Sequence, residues 1–304
     1  MTLEQLRIFV AVAERQHMTR AAEALNLTQQ AVSSAIVALE NAHAIPLFHR
    51  VGRRIELTEA GRLFLDEARS VLARAAAAEL ALSELGGLKR GTLAVQASQT
   101  IASYWLPRRL VAFHQAYPGI ALRVGMGNTA QVAKAVTDGA ADLGFIEGAI
   151  NEPALSCERF GEDRLLLVVA PAHPWAGRDR VKASDLTQSN WVLREAGSGT
   201  RSAFESSLDR LGLAPRLLKV ALELPSNEAV IDAVAGGGGA TVISELAADA
   251  ALRSGALRRV PIDLPPRAFF VVRHRERYRC KATDAFLLIV RDGASRPKRA
   301  PRSA

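Results

Sequence analysis

Cysteine is nearly missing from this chain: Cys157 and Cys280 are the two in 304 residues. Such a pair builds no disulfide framework, so a reducing compartment fits and both are read as buried or idle thiols. Long apolar runs are lacking too, and no stretch approaches the ~20 residues that span a bilayer. The first residues hold no basic segment leading into an apolar core, so no secretory leader is expected and the cytoplasm is the expected location. The signatures of catalysis are also absent: there is no HExxH, no paired CxxC and no GxSxG elbow. Gly197 to Thr200 lacks the lysine and the spacing of a P-loop. The run Gly236 to Gly239 precedes a strand, whereas a dinucleotide fingerprint must follow one. Six histidines, His43, His49 and His114 among them, show no metal-ligand spacing. No catalytic residue, metal or resident cofactor is therefore expected, and the chain is read as one that works by binding.

Charge does not show where. The net charge is +8, but residues 251–304 hold 14 of the 39 Lys and Arg against 4 of the 31 Asp and Glu. That segment is +10, so the first 250 residues net −2. A polyanion partner has to be found from pattern instead.

The pattern lies in Met18 to Glu40. Ala21, Ala22 and Leu25 recur at helical spacing, and Asn26 tolerates the left-handed backbone of a tight turn. Thr28 suits the cap of a second helix, whose apolar stripe is Ala31, Val32, Ala35, Ile36 and Leu39. Gln29, Gln30, Ser33 and Ser34 stand on the other side, short amide and hydroxyl groups able to reach base edges in a major groove. The same pattern would also suit a plain helical hairpin with a solvated face. Ahead of it, Leu3, Leu6, Ile8, Phe9 and Val12 form a first helix capped by Thr2. After it, Pro46-Leu47-Phe48 closes a small core and Gly52 allows a hairpin tip. Arg50, Arg53 and Arg54 would touch phosphates or a minor groove from such a wing.

Thr58-Glu59-Ala60-Gly61 opens a long helix to about Leu85, with Leu65, Leu72, Ala75, Leu82 and Leu85 available as a seam for a partner helix. Packing on the following domain is the alternative. Gly86 to Gly91 is a hinge. Strands then alternate with helices in two sets, the first from Leu93 to Ile146 and the second from Leu165 to Ile243. Such alternation implies parallel-rich α/β sheets, here as two lobes with a cleft. Phe269 to Val272 is a strand, followed by the basic run Arg273 to Lys281, and Thr283 to Val290 is a last helix. That run is read as a solvated surface, with loose nucleic-acid contact as the alternative. The expected fold is therefore α/β overall, with a winged helix-turn-helix at 1–58, a linker helix and hinge at 59–90 and an effector domain at 91–292. Its lobes are about 91–162 plus 266–292, and 163–265, with a disordered basic tail at 293–304.

Three turns share a ligand-like feature. Ser98-Gln99-Thr100, Asn128-Thr129 and Gly197-Ser198-Gly199-Thr200-Arg201 each follow a strand at or before a helix start. Free N–H groups there favour anions, and Arg201 could pair with a carboxylate, sulfur oxyanion or phosphate. Ordinary helix capping is the plain alternative.

Together these residues resemble the LysR-type transcriptional regulators over nearly the whole chain. The resemblance is carried by Phe9, Ala21-Ala22, Leu25, Thr28-Gln29, Ala31-Val32-Ser33, Ile36, Leu39-Glu40, Pro46-Leu47-Phe48, Arg50 and Leu57-Thr58-Glu59-Ala60-Gly61. It implies a DNA-binding winged helix, a dimerising linker helix and a periplasmic-binding-protein-like effector domain. It further implies a homodimer or homotetramer on a promoter dyad of double-stranded DNA, with RNA polymerase as an open further partner and no membrane. Trp191 to Arg201, Gly127-Asn128-Thr129 and Glu147-Gly148 are similar to the branch of carbon-fixation and sulfur-oxyanion-related regulators. By that similarity Ser98, Gln99, Thr100, Asn128, Thr129, Glu147, Ser198, Gly199, Thr200 and Arg201 are the effector candidates, for a small anion. The chain departs from the family at Ser34, where arginine is common, at Gln30, where proline is, and at Ala44, where glycine is. A one-component repressor of another family is the nearest rival. A small-anion-binding protein or an enzyme on the same cleft is more remote.

Overall fold

The computed structural model describes residues 1–51, 54–84, 91–148 and 150–294. They form two compact units, Met1–Gly86 with Asp138–Ala140, and Gly87–Thr137 with Ala141–Ala304.

The first unit begins with α1 (Leu3–Arg15), α2 (Met18–Leu25) and α3 (Gln29–His43). Thr2 and Gln5 cap α1 reciprocally, and the Thr28 hydroxyl accepts from the Ala31 N–H at 3.1 Å to cap α3. Each of the three helices stops on a left-handed residue: Gln16, Asn26 and Ala44, with φ of 48°, 55° and 54°. The expected stripe holds at four of its five positions. Val32, Ile36 and Leu39 are buried with Phe9, Val12, Ala21 and Ala22, and Ala35 packs against them, whereas Ala31 is exposed.

The wing pairs β1 (Phe48–Val51) antiparallel with β2 (Arg54–Leu57). Glu40 fixes its root, its Oε1 accepting from the N–H groups of Leu47 and Phe48 at 2.7 and 3.1 Å. Thr58 then donates to the Pro46 carbonyl and accepts from the Gly61 N–H, starting α4 (Glu59–Glu84). Gly61 has no room for a side chain, since a Cβ would lie 2.1 Å from the Leu47 carbonyl oxygen. The seam proposed on α4 is corrected in part. Leu65 and Leu72 pack on the unit's own core, leaving Leu63 and Val71 as the exposed large apolar residues among its described side chains, while Leu85 and the side chain of Leu82 lie outside the described residues.

The second unit holds two five-stranded sheets. The first uses β3 (Gly91–Ser98), β4 (Ile120–Gly127), β5 (Leu143–Glu147), β6 (Leu155–Asp163) and, from the far end of the chain, β12 (Arg267–His274). The second uses β7 (Leu165–Val169), β8 (Asn190–Arg194), β9 (Lys219–Leu224), β10 (Ala240–Ser244) and β11 (Arg258–Val260). A π-type turn (Ile101–Trp105), α5 (Pro107–Ala116), α6 (Thr129–Asp138) and α10 (Lys281–Ala294) serve the first sheet. The second has α7 (Gly199–Arg210), α8 (Asn227–Ala235) and α9 (Glu245–Ser254). The orders β4-β3-β5-β12-β6 and β9-β8-β10-β7-β11 match position for position: three parallel strands, then two that alternate in direction. In each lobe the chain leaves β3 or β8 to one side, for β4 or β9, and returns on the other as β5 or β10. That places a topological switch point at the carboxyl ends of β3 and β5, and of β8 and β10, where α/β sheets hold ligands. The central strands β5, β7 and β10 are buried throughout, as helix-covered sheets require.

The basic run after β12 is structural, which corrects the solvated reading for two of its members. Arg275 donates to the carbonyls of Pro153 and Leu155, and Arg277 to those of Val136 and Thr137 at the C-terminal end of α6, at 2.6 and 2.7 Å. Cations there also meet the negative end of the helix dipole.

Ala44 generates a prediction. An L-residue with a Cβ is strained at positive φ, and glycine is not. Ala44→Gly should therefore stabilise the N-terminal unit by about 1 kcal/mol, read as a higher denaturant midpoint with an unchanged slope. An unchanged or lower midpoint would show that the cap holds no strain.

Candidate functional site

In the first unit the expected DNA-facing residues stand on one helix. Thr28, Gln29, Gln30 and Ser34 are exposed, and Ser33 is half-buried. Thr28 is spent in part on the cap of α3. Gln29 accepts at Oε1 from the Thr19 hydroxyl at 3.2 Å, a bond that links α2 to α3. Val37, 49 % exposed, stands two turns from Gln30 on the same helix. In the wing, the backbones of Arg50 and Arg54 are placed in the hairpin, opposite Ile55 and Val51. Their side chains and the whole of Arg53 lie outside the described residues.

In the second unit the two switch points meet, and most of the expected effector residues gather between the lobes. At the centre is a residue the sequence reading did not nominate, Arg267, 5 % exposed. Its Nε and Nη2 both donate to Asp163 Oδ2, at 3.0 and 2.8 Å. Its Nη1 donates to Glu147 Oε2 at 3.1 Å and Thr200 Oγ1 at 2.9 Å, and its Nη2 reaches Thr100 Oγ1 at 3.5 Å. Asp163 ends β6 and Arg267 starts β12, paired across the ladder, so the ion pair sits at both places where the chain passes between lobes.

From Thr100 the network continues into the second lobe. The Asn227 amide donates to Thr100 Oγ1, and Asn227 Oδ1 accepts from Arg194, which grips Glu195 with two bonds of 2.8 and 3.0 Å. Gln99 accepts from the Asn227 N–H and donates to Glu228, which also accepts from the Tyr104 hydroxyl. Asn128 caps α6 by exchanging bonds with Gln131, and its amide reaches Glu195 Oε1 and the Ala196 carbonyl at 3.5 Å. Thr129 donates to the Glu147 carbonyl. Gly199 is the point of closest approach, where a Cβ would lie 2.7 Å from both the Glu147 carbonyl oxygen and Thr129 Oγ1. Ser198, buried, gives α7 no side-chain cap. Ser98 is buried as well, and its Oγ and Glu147 Oε1 have no hydrogen-bond partner among the described residues.

Arg201 is the exception among the expected residues. Its guanidinium is held by Glu205 at 2.8 Å, by Glu223 and by the Arg194 carbonyl, and these carboxylates raise its pKa against the opposing effect of burial. The cation that bonds to both lobes is Arg267 instead. Asp163, Arg194, Asn227 and Glu228 were likewise not nominated. A usable signal existed for Arg267, a lone arginine entering the apolar strand Ala268 to Val272, since a buried charge needs partners.

Burial shifts these groups. It raises the pKa of Asp163, outweighing the charge and bonds of Arg267 and the bond from Ser244, and the nearby charge of Glu147 adds to the rise. Burial would also raise Glu228, but bonds from its own N–H, Tyr104, Gln99 and Ser226 hold it below its usual value. Tyr104 is pushed up, first by burial and then by Glu228.

With this geometry the comparisons are unambiguous. Residues 3–62 match the description "Bacterial regulatory helix-turn-helix protein, lysR family", and residues 86–295 match "LysR substrate binding domain". The chain belongs to the LysR family. It is 36 % identical over 290 residues, 94 % of this chain and 86 % of the relative, to a "Probable RuBisCO transcriptional regulator" of Nostoc sp.. Among solved structures it resembles the Synechocystis PCC6803 CcmR regulatory domain in complex with 2-PG, at 28 % identity and a TM-score of 0.62. That match covers 68 % of this chain and 98 % of the other. It shares the whole fold of CbnR, a LysR family transcriptional regulator, with a TM-score of 0.70 at 22 % identity over 97 % of this chain and 100 % of that one. The LysR-family chain described here is thus a transcriptional regulator with an N-terminal helix-turn-helix and a C-terminal α/β effector-binding domain.

Arg267 gives the second prediction. Removing it leaves Asp163 and Glu147 buried without their cation, so Arg267→Ala should cost about 3–5 kcal/mol near neutral pH. Asp163 already titrates above its usual value, so its contribution to stability is present below the ordinary carboxylate pKa and fades as pH rises through the raised one. Loss of Arg267 removes an attraction that lowers that pKa, so the deficit should shrink as the pH falls toward the acid range. A thermal-shift series across pH checks this; a deficit independent of pH would place the cost elsewhere than on unpaired acid.

Proposed function

We propose that this regulator reads a promoter dyad in double-stranded DNA through α3 and the wing, and that a small anionic effector in the interlobe seam changes how it bends that DNA. The observation that carries the effector half is the seam itself. Polar groups from two switch points are packed together there, beside an α7 whose first turn has no side-chain cap. Unpaired N–H groups and the positive end of the dipole favour an oxyanion at such a place. The complex of the CcmR regulatory domain with 2-PG supports a phosphorylated or similarly charged small acid. Such a ligand acts only by binding the two lobe arrangements with different affinity.

On the DNA side, Gln29, Gln30, Ser33 and Ser34 supply base or phosphate contacts, and Arg50, Arg53 and Arg54 supply backbone contacts. Two copies in a dimer, or four in a tetramer, place recognition helices on successive half-sites. Exposed apolar residues on the outermost strands, Val124 and Met126 on β4 and Val220 and Leu222 on β9, support self-association, because open strand edges are otherwise pairing hazards. The role is non-enzymatic, needs no resident cofactor or metal, and belongs in the cytoplasm. Among the described residues no group of three His, Cys, Asp or Glu is placed to hold a metal ion, and no described helix is long and apolar enough to cross a membrane.

The double variant Gln29→Ala, Ser33→Ala should lose its sequence preference in a footprint, with non-specific binding, oligomeric state and melting temperature kept. A footprint identical to that of the parent protein would remove α3 from base recognition.

A further inference from the structure

Donors and acceptors in the interlobe seam do not balance. All five N–H groups of Arg267 are engaged, two by Asp163 and one each by Glu147, Thr200 and Thr100. The seam and its rim hold four carboxylates, Glu147, Asp163, Glu195 and Glu228, against two guanidiniums, Arg194 and Arg267. An incoming oxyanion therefore finds no free N–H on the central cation and meets a surplus of negative charge. The groups left over are of another kind. Glu147 Oε1 is a buried acceptor without a donor, and Ser98 Oγ is a buried hydroxyl without a partner. The two stand at the carboxyl ends of the adjacent strands β5 and β3. Glu147 also packs against the first residue of uncapped α7: a Cβ on Gly199 would lie 2.8 Å from the Glu147 Cβ. A helix end rich in donors thus stands beside one carboxylate oxygen that lacks a donor.

We propose that the effector brings its own hydrogen-bond donor to Glu147: a protonated oxyanion or a hydroxyl-bearing acid, and not a fully deprotonated oxyanion. Its O–H is taken by Glu147 Oε1, and its other oxygens accept from the α7 N–H groups and the Ser98 hydroxyl. The inference rests on the anionic-effector reading above and narrows it. The physical ground is direct. An oxyanion without a proton sets lone pairs against the lone pairs of a buried carboxylate, and both stay unsatisfied where water cannot help. A ligand O–H converts the same contact into a short, charge-assisted bond. Sites built to bond a ligand hydroxyl reject analogues that lack it far more strongly than apolar pockets reject a missing methylene.

Inorganic phosphate and sulfate separate the cases, since both are tetrahedral and of similar size but only phosphate keeps a proton at neutral pH. Calorimetric titration of the full-length protein should show phosphate binding at least about tenfold tighter than sulfate. Glu147→Gln, which offers an amide donor in place of the acceptor, should narrow or invert that ratio, and Ser98→Ala should weaken both ions. Equal affinity for the two ions, both weakened by Ser98→Ala, would keep an anion in the seam and overturn the role given to Glu147. Binding of neither ion, or binding indifferent to Ser98→Ala, would remove the anion from the seam and overturn both readings.

Discussion

The arrangement of the effector domain depends on one buried cation. Arg267 stands where the chain re-enters the first lobe, and Asp163 where it leaves, so their ion pair ties the two crossing strands together. The remaining donors of Arg267 divide between Glu147 and Thr100 in one lobe and Thr200 in the other. A single guanidinium therefore bonds to the strand crossing at Asp163 and to both walls of the cleft. Its planar fork of five donors can do this where the point charge of a lysine could not. Burying it is costly and yields little net stability over an apolar substitute. What it supplies is a definite geometry, since a charge with five fixed directions tolerates few alternative arrangements.

The two lobes meet this cation with the same device. Each is a β-α-β-α-β unit with two further strands, and each directs its switch point at the other. Small residues let the backbones approach: Gly199 has no Cβ to strike Glu147, and Thr129 can reach the Glu147 carbonyl. The apolar cores lie away from the seam, around Phe113, Phe145 and Phe286 in the first lobe and Trp191 and Phe204 in the second. Polar groups are thus concentrated where the lobes part. Hydrophobic burial fixes each lobe, and the hydrogen-bonded seam, with Tyr104 of the first lobe packed against the core of the second, fixes their relation.

Much of this was legible because it is local. The caps Thr2, Thr28 and Thr58, the left-handed turn at Asn26 and the strand–helix alternation depend on neighbours a few residues away. The turns at Ser98, Asn128 and Ser198 were legible for the same reason. Strand β6 was not anticipated: it carries Ser156, Glu158, Arg159 and Glu162 on an edge, its burial is irregular, and its register shifts at Phe269 and Phe270. Helix α9, alanine-rich and short, offered little periodicity to read. Arg267 escaped because its meaning is set by pairing with a strand more than a hundred residues away. Arg201 shows the opposite failure. It was chosen for its place in a motif, although Glu205 four residues on is the spacing of a helical ion pair and a sign that the guanidinium would be occupied. At Ala44 the departure from glycine was visible in the sequence, but the strain behind it is a matter of backbone conformation.

The imbalance of the seam bears on why it could act as a switch. A ligand moves an equilibrium only by the difference in its affinity for the two states. If every polar group in the closed seam were satisfied, closure would be complete without a ligand, and binding would have nothing further to supply. Four carboxylates against two guanidiniums, with one carboxylate oxygen and one hydroxyl unpartnered, leave closure short of that limit. Each unsatisfied buried group costs on the order of 1–3 kcal/mol. A ligand that relieved both would gain a differential of about the size that couples allosteric sites in proteins generally. The same two atoms that make the seam imperfect without its effector are the means by which an effector could bias it.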